Sequence, residues 1–352
     1  MNRLIKNIGI ICPWRRWNKD NGIFDPAKYH QYGEGLEYPF ILLKRTLQEK
    51  GIEINTLDTR PLEEFDSVLF FNYPMKKNIP AGATPEELHN AGKKIFLFLF
   101  ENDLIWPENA KTENHIYFDK IFTWNDLLVD GKKYVKLILP NKIPELKDID
   151  LSKKDKLCAL ISTNQLVEYP QELYSERVRA IRWFERHHPG DFDLYGHGWD
   201  SDFIKRPSVS SIIKLLCLLK PIRKLLDKDY FSSYRGPIVS KNEVLSRYKF
   251  SICYENSRDV PGYITEKIFD CFFAGTIPVY WGAPNITDFI PANTFVDKRN
   301  YPSYESLYEY ISNMPQKEYE GCIRNIRDYI SGEKIKMFSA EHFVDVILNN
   351  II

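Results

Sequence analysis

The chain has 352 residues, 43% of them hydrophobic and 27% charged, with 48 Lys and Arg set against 48 Asp and Glu. That length exceeds one ordinary domain and leads to an expectation of two, of roughly 150–200 residues each. The balanced charge excludes a general binder of polyanions such as DNA, so any basic site has to be local.

Ile8–Cys12 reads as a first strand. Five apolar residues are too few for the hydrophobic region of a secretory leader, and no run of 18 apolar residues suits a membrane span. A polar, aromatic loop follows from Pro13 to Gly35, with Trp14, Arg15, Arg16, Trp17, Tyr29 and Tyr32. Apolar spacing predicts a helix over Tyr38–Glu49, closed at Gly51, then strands at Ile52–Leu57 and Ser67–Phe71 and a helix over Pro85–Ala91. Lys94–Phe100 is a continuous apolar run, the pattern of a strand buried on both faces. Lys120–Thr123 and Val135–Leu139 add further strands. Such alternation predicts a parallel sheet with flanking helices.

The polar segment 141–155 contains a proline and fits a linker. Beyond it the alternation restarts. Leu157–Ser162 is a strand, Glu172–His187 a helix, and Phe192–Tyr195 a strand entering the turn Gly196-His197-Gly198-Trp199. Glu243–Arg247 is a short helix, Tyr304–Ser312 and 316–331 are longer ones, and Ala340–Asn349 is an amphipathic terminal helix. This organisation gives an N-terminal domain over 1–150, a C-terminal domain over 151–335 and a terminal helix over 336–352. One segment departs from the pattern: 209–228 is strongly apolar but carries Lys214, Lys220, Arg223, Lys224 and Lys228. It reads either as a basic amphipathic helix for peripheral contact with an anionic membrane or as two short helices, broken at Pro221, packed on the domain.

The six cysteines are scattered without a C-x-x-C pair, which points to buried thiols in a reducing compartment and to no structural zinc. Three D-x-D matches, at Asp148–Asp150, Asp191–Asp193 and Asp200–Asp202, are the patterns a metal-dependent nucleotide-sugar site would use, at a frequency chance also explains.

The densest chemistry lies in residues 250–285, FSICYENSRDVPGYITEKIFDCFFAGTIPVYWGAPN. A strand ends in Glu255-Asn256, a turn leads to Tyr263, Thr265, Glu266 and Lys267 at a helix start, and a second strand stops at Trp281-Gly282. In such a βαβ unit ligands bind beyond the carboxyl ends of the strands, and a helix start favours anions. Lys267 is disfavoured there by the helix dipole unless an anionic ligand joins it. Glu266 can accept hydrogen bonds from hydroxyls, and Asn256 can orient a base, a ribose or a neighbouring side chain. Arg177, in the helix after Leu157–Ser162, suits bidentate phosphate binding, whereas Arg179 reads as a solvated helix residue. Glu101 and Asp103, just past the apolar strand, are both placed to act as a general base.

The block from Tyr248 to Pro284 resembles the signature of the α-1,3/1,4-fucosyltransferases, glycosyltransferase family 10, in its bacterial form. The pattern is F-x-(L/I)-x-(F/Y)-E-N, a short turn, Y-(V/I)-T-E-K, then x-P-(V/I)-x-x-G. The segment from Leu157 to Arg177 and the Phe100-Glu101 step resemble earlier parts of the family, while residues 1–90 match only in layout. The resemblance implies an α/β GT-B fold, two Rossmann-like domains facing a cleft. The N-terminal one would bind the acceptor and the C-terminal one GDP-fucose, with inversion at the fucose anomeric carbon and no catalytic metal. It implies that Arg177 and Lys267 neutralise the pyrophosphate, Tyr263 and Asn256 contact or organise the nucleotide, Glu266 binds fucose, and Glu101 is the base, with Asp103 as a rival. The expected setting is a cytoplasmic enzyme of surface-polysaccharide or lipopolysaccharide synthesis, at the inner face of the membrane if 209–228 docks there. A transferase of another GDP-hexose, or a non-catalytic sugar- or nucleotide-binding protein on the same scaffold, are the alternatives.

Overall fold

The computed structural model describes residues 5–28, 35–75, 79–145, 148–165, 167–200 and 230–352. The apolar, basic segment 209–228, Asp202, Tyr29 and Tyr32 lie outside the described residues. The chain divides into two units, the first made of residues 1–145, 260–266 and 332–352, the second of 146–259 and 267–331.

The first unit holds β1 (Asn7–Ile11), α1 (Tyr38–Glu49), β2 (Glu53–Thr56), β3 (Ser67–Phe71), α2 (Pro85–Asn90), β4 (Lys94–Leu99), β5 (Lys120–Thr123) and β6 (Tyr134–Lys136). Its six strands are all parallel, in the order β2-β1-β3-β4-β5-β6. All five residues of β3 and the last five of β4 are buried, as their unbroken apolar runs require of strands covered on both faces. In α1 the buried Phe40, Leu43 and Leu47 recur at helical spacing, and Gly51 follows with φ +73. That left-handed position ends the helix where a side chain would be strained. The terminal helix, Ala340–Ile351, also belongs to this unit. Ser339 caps it through the His342 N–H, and Phe343 packs against Phe40 and Phe98 with ring centroids 6.1 and 5.7 Å apart. Each such apolar side chain contributes roughly 1.5–3 kcal/mol by burial, so the chain's end is part of this core.

The second unit holds β7 (Lys156–Ile161), α3 (Tyr174–His187), β8 (Phe192–Tyr195), α4 (Lys241–Leu245), β9 (Tyr248–Tyr254), α5 (Glu266–Phe273, entering the unit at Lys267), β10 (Ile277–Trp281), α6 (Ile286–Phe289), β11 (Val296–Asp297), α7 (Tyr304–Ser312) and α8 (Gln316–Ser331). Its five strands are parallel in the order β11-β10-β9-β7-β8. The chain moves outward from β7 to β8 and then returns to the other side of β7 with β9. The order of strands therefore reverses between β7 and β9, and ligands of open parallel sheets bind outside the carboxyl ends at such a reversal.

Candidate active site

A pocket opens at that reversal. Its lining includes Ile161 and Ser162 from the end of β7, residues 251–254 of β9, and the side chains of Arg177, Lys241, Lys267 and Asp270. Three cations from α3, α4 and α5 thus share one pocket within the second unit. Lys241 Nζ lies 2.6 Å from Asp270 Oδ2 and Lys267 Nζ lies 3.5 Å from Glu255 Oε2. Among the lining residues three are cationic and one, Asp270, is acidic, a composition suited to a diphosphate.

The strand end that builds the pocket is braced by Arg177. This side chain is buried, stacks its guanidinium 4.8 Å from the Tyr174 ring, and donates from Nη2 to Tyr254 O (2.7 Å), Glu255 O (2.8 Å) and Asn256 Oδ1 (3.0 Å). Asn256 therefore orients a neighbouring side chain, one of the uses its amide allowed. The turn beyond is pinned on both sides. Leu173 N–H donates to Asn256 O and Arg258 N–H to Gln171 O on the α3 side, while Glu255 N–H donates to Trp281 O and Asp259 N–H to Gly282 O on the β10 side.

Glu255 is wholly buried, and Gly282 makes room for it. A Cβ on Gly282 would overlap Glu255 Cγ and come 2.5 Å from Tyr280 Oη. Burial pushes the Tyr280 hydroxyl pKa up, and the Glu255 charge adds to that. Burial likewise pushes the Cys253 thiol up, with Cys271 beside it adding, so Cys253 is a poor thiolate.

In the first unit, Glu101 is the second residue past the end of β4 and is half-buried. Asp103 sits two residues on, in a turn whose Asn102 carbonyl accepts from Ile105 and Trp106 N–H. The stretch 260–266 also belongs to this unit. Asp126 N–H donates to Pro261 O, and the buried Tyr263 ring lies 4.6 Å from that of Trp124. Gly262, with φ +82, passes so close to the Trp124 carbonyl that no Cβ fits. Of the sequence-derived residues, Arg177, Asn256 and Lys267 come together in the second unit. Tyr263 packs on Trp124 in the first, and Glu266 opens α5 at the point where the chain passes between units.

Of the D-x-D patterns, Asp191–Asp193 and the first aspartate of Asp148–Asp150 are engaged in structural contacts. Asp193 receives Lys156 Nζ at 2.5 Å, Tyr248 Oη at 2.6 Å and Arg235 Nε. Asp191 accepts from Tyr308 Oη at 2.7 Å, and Asp148 pairs with Arg327 at 2.8 Å. No cluster of metal-ligating side chains occurs among the described residues. Lys241 and Asp270 escaped the sequence reading because nothing in SKNEVL or IFDCFF separates them from ordinary helix-surface charge. Glu255 was visible beside Asn256, but its burial against Lys267 was not.

The family model "Glycosyltransferase family 10 (fucosyltransferase) C-term" matches residues 225–322. A Helicobacter pylori protein named alpha-(1,3)-fucosyltransferase FucT is 40% identical over 74 residues, 21% of this chain and 15% of that protein. Alpha-(1,3)-fucosyltransferase B of Drosophila melanogaster is 33% identical over 116 residues, 31% of this chain and 26% of that protein. The chain thus matches about a quarter or less of the length of these relatives. A solved alpha1,3-fucosyltransferase structure aligns over 99% of this chain and 91% of its own, with TM-score 0.53 and 17% identity. Anabaena Alr3699/HepE in complex with UDP aligns over 99% of each chain with TM-score 0.56 and 12% identity. At such identities the likeness is one of fold, and the fold is GT-B, with two parallel-sheet α/β domains.

Proposed function

We propose that this chain, whose residues 225–322 match the model of glycosyltransferase family 10, transfers L-fucose from GDP-fucose to a hydroxyl of a glycan acceptor. The observation that carries this reading is the convergence of Arg177, Lys241 and Lys267 on one pocket at the strand reversal of the second sheet. The relatives named as fucosyltransferases support the choice of sugar.

In the proposed reaction the acceptor oxygen attacks the anomeric carbon from the face opposite GDP, so configuration inverts. The carbon–oxygen bond to the β-phosphate breaks and GDP leaves with the bonding pair. Lys267 and Lys241 meet the charge on the diphosphate, and Arg177 presents the braced end of β9 while facing the same pocket. Preorganised cations are effective here because they need no reorganisation as charge develops. Glu101 accepts the acceptor's proton. Glu266 binds the fucose hydroxyls, and Asn256 and Tyr263 hold the turn that frames the nucleotide. The cationic pocket supplies the charge neutralisation that a divalent ion gives in other nucleotide-sugar enzymes, so the mechanism is metal-independent.

We place the acceptor among glycans containing GlcNAc or glucose, joined through an α-1,3 or α-1,4 linkage. The setting is cytoplasmic synthesis of a surface polysaccharide or lipopolysaccharide. No helix among the described residues is long and apolar enough to cross a membrane. A donor panel against an acceptor-glycan array tests the proposal. Transfer from GDP-fucose is expected. Consumption of GDP-mannose with no turnover of GDP-fucose would move the protein to another donor, and nucleotide binding without transfer from any donor would make it a binding protein.

A further inference from the structure

Glu101 lies where the backbone leaves the sheet, so its peptide groups and those of Phe100 need partners from elsewhere. Side chains provide all four. Asn72 Oδ1 accepts from Phe100 N–H at 2.8 Å and from Glu101 N–H at 3.0 Å. Trp124 Nε1–H donates to Phe100 O at 2.9 Å, and Asn109 Nδ2–H donates to Glu101 O at 2.8 Å. The two asparagines are themselves joined, Asn109 Nδ2 to Asn72 Oδ1 at 2.9 Å, and Asn109 Oδ1 accepts from Tyr73 N–H at 2.9 Å. Both are buried, with exposures of 1% and 4%.

Asn72 holds this position at a local cost. Its φ is +59, in the left-handed region that side chains other than glycine seldom adopt. Its Nδ2 is buried with no hydrogen-bond partner, and an unmet buried donor is unfavourable. Backbone strain and an unmet donor directly beside a candidate base mark a residue held in place for its geometry.

We infer that Asn72, with Asn109 behind it, is a positioning residue that fixes the backbone of Glu101 so that its carboxylate meets the acceptor hydroxyl. The inference rests on Glu101 being the base. Asparagine serves twice: its side-chain carbonyl accepts three hydrogen bonds at once, and its backbone tolerates positive φ better than most residues do. A carboxylate freed from this clamp loses the near-attack placement, and a displacement of about 1 Å can lower turnover on the order of a hundredfold.

The test uses Asn72→Gly, Asn72→Asp and Glu101→Ala in the full chain. Glycine accepts the positive φ and removes only the side chain. Asn72→Gly is expected to lower kcat by about ten- to a hundredfold while acceptor KM and GDP affinity stay unchanged. Asn72→Asp keeps the three accepted hydrogen bonds, so it should recover most of kcat. Its added negative charge raises the Glu101 pKa, so the acidic limb of the kcat–pH profile moves upward. If Glu101→Ala is inactive but Asn72→Gly turns over like the parent, the positioning role is wrong and the base assignment stands. If Glu101→Ala is fully active, the base assignment falls and the inference with it. An Asn72→Asp protein with depressed kcat and an unmoved limb would mean that Asn72 is merely structural. This variant reads the role even if Asn72→Gly does not fold.

Discussion

Glu255 Oε2 lies 3.5 Å from Lys267 Nζ, with the glutamate side chain fully excluded from solvent and the lysine side chain about one-quarter exposed. The buried partner holds the ammonium at the pocket wall. Gly282 is what lets Glu255 occupy that position. Gly282→Ala is therefore expected to destabilise the protein by about 1–3 kcal/mol, the usual cost of overpacking, and to weaken GDP binding with it. Denaturant unfolding and titration calorimetry read the two effects. A variant with parental stability and GDP affinity would remove Glu255 from this role.

Lys267→Ala should weaken GDP binding by about ten- to a hundredfold, since a hydrogen bond to a charged group contributes about 1.5–3 kcal/mol. Lys241→Ala should act in the same direction but less, because Asp270 already engages that ammonium. Unchanged affinity in the Lys267 variant would take that residue off the phosphates.

Base and donor roles separate in a second pair. Glu101→Ala should lower transfer by about 10²–10⁴, the span of general-base catalysis, with GDP affinity unchanged. Asp103→Ala should stay within a few-fold of the parent. The reverse result in a transfer assay would make Asp103 the base. Transfer by the parent protein should also persist in excess chelator, and strict dependence on manganese would overturn the metal-independent mechanism.

Asp193 gives a prediction about acid stability. Burial raises its pKa, but Lys156, Tyr248 and Arg235 outweigh that and hold it below 3.8. The folded-state pKa is depressed, so the stabilisation is present above the ordinary carboxylate range and is lost as pH falls through the lowered value. Asp193→Asn should flatten that part of the acid-unfolding curve, and a curve identical to the parent's would show that the cluster contributes nothing there.

Lys154 gives the opposite region. It is buried, donating to Leu245 O, Ala274 O and Thr276 Oγ1 at 3.2, 2.8 and 2.9 Å, and burial pushes its pKa down from 10.5 to about 7. Between those values the unfolded chain holds the proton and the folded one does not, so stability rises with pH across that window and is flat below it. Melting temperatures followed from neutral to alkaline pH should show that rise, and Lys154→Met should remove its share of it.

Much of the secondary structure was legible because local signals are strong. The apolar runs within β3 and β4, the helical spacing of α1 and the bounds of α7 and α8 follow from local pattern alone. The place of the terminal helix was not legible. Its amphipathicity calls for a partner surface but does not say which, and Phe343 meets Phe40 and Phe98 only once the first sheet exists. Tyr263 shows the same limit, since it stands only four positions before Lys267 while its ring packs on Trp124 in the first unit.

The sequence by itself determined the α/β alternation, the family motif and the residue types that can bind a nucleotide sugar, because these depend on local period, turn chemistry and side-chain charge. Tertiary structure alone decided that Lys241 joins Arg177 and Lys267, that Glu255 is buried beneath Lys267, and that Asn72 and Asn109 hold Glu101. Those relationships arise from strand order and from hydrogen bonds between residues far apart in the chain. No local pattern encodes them.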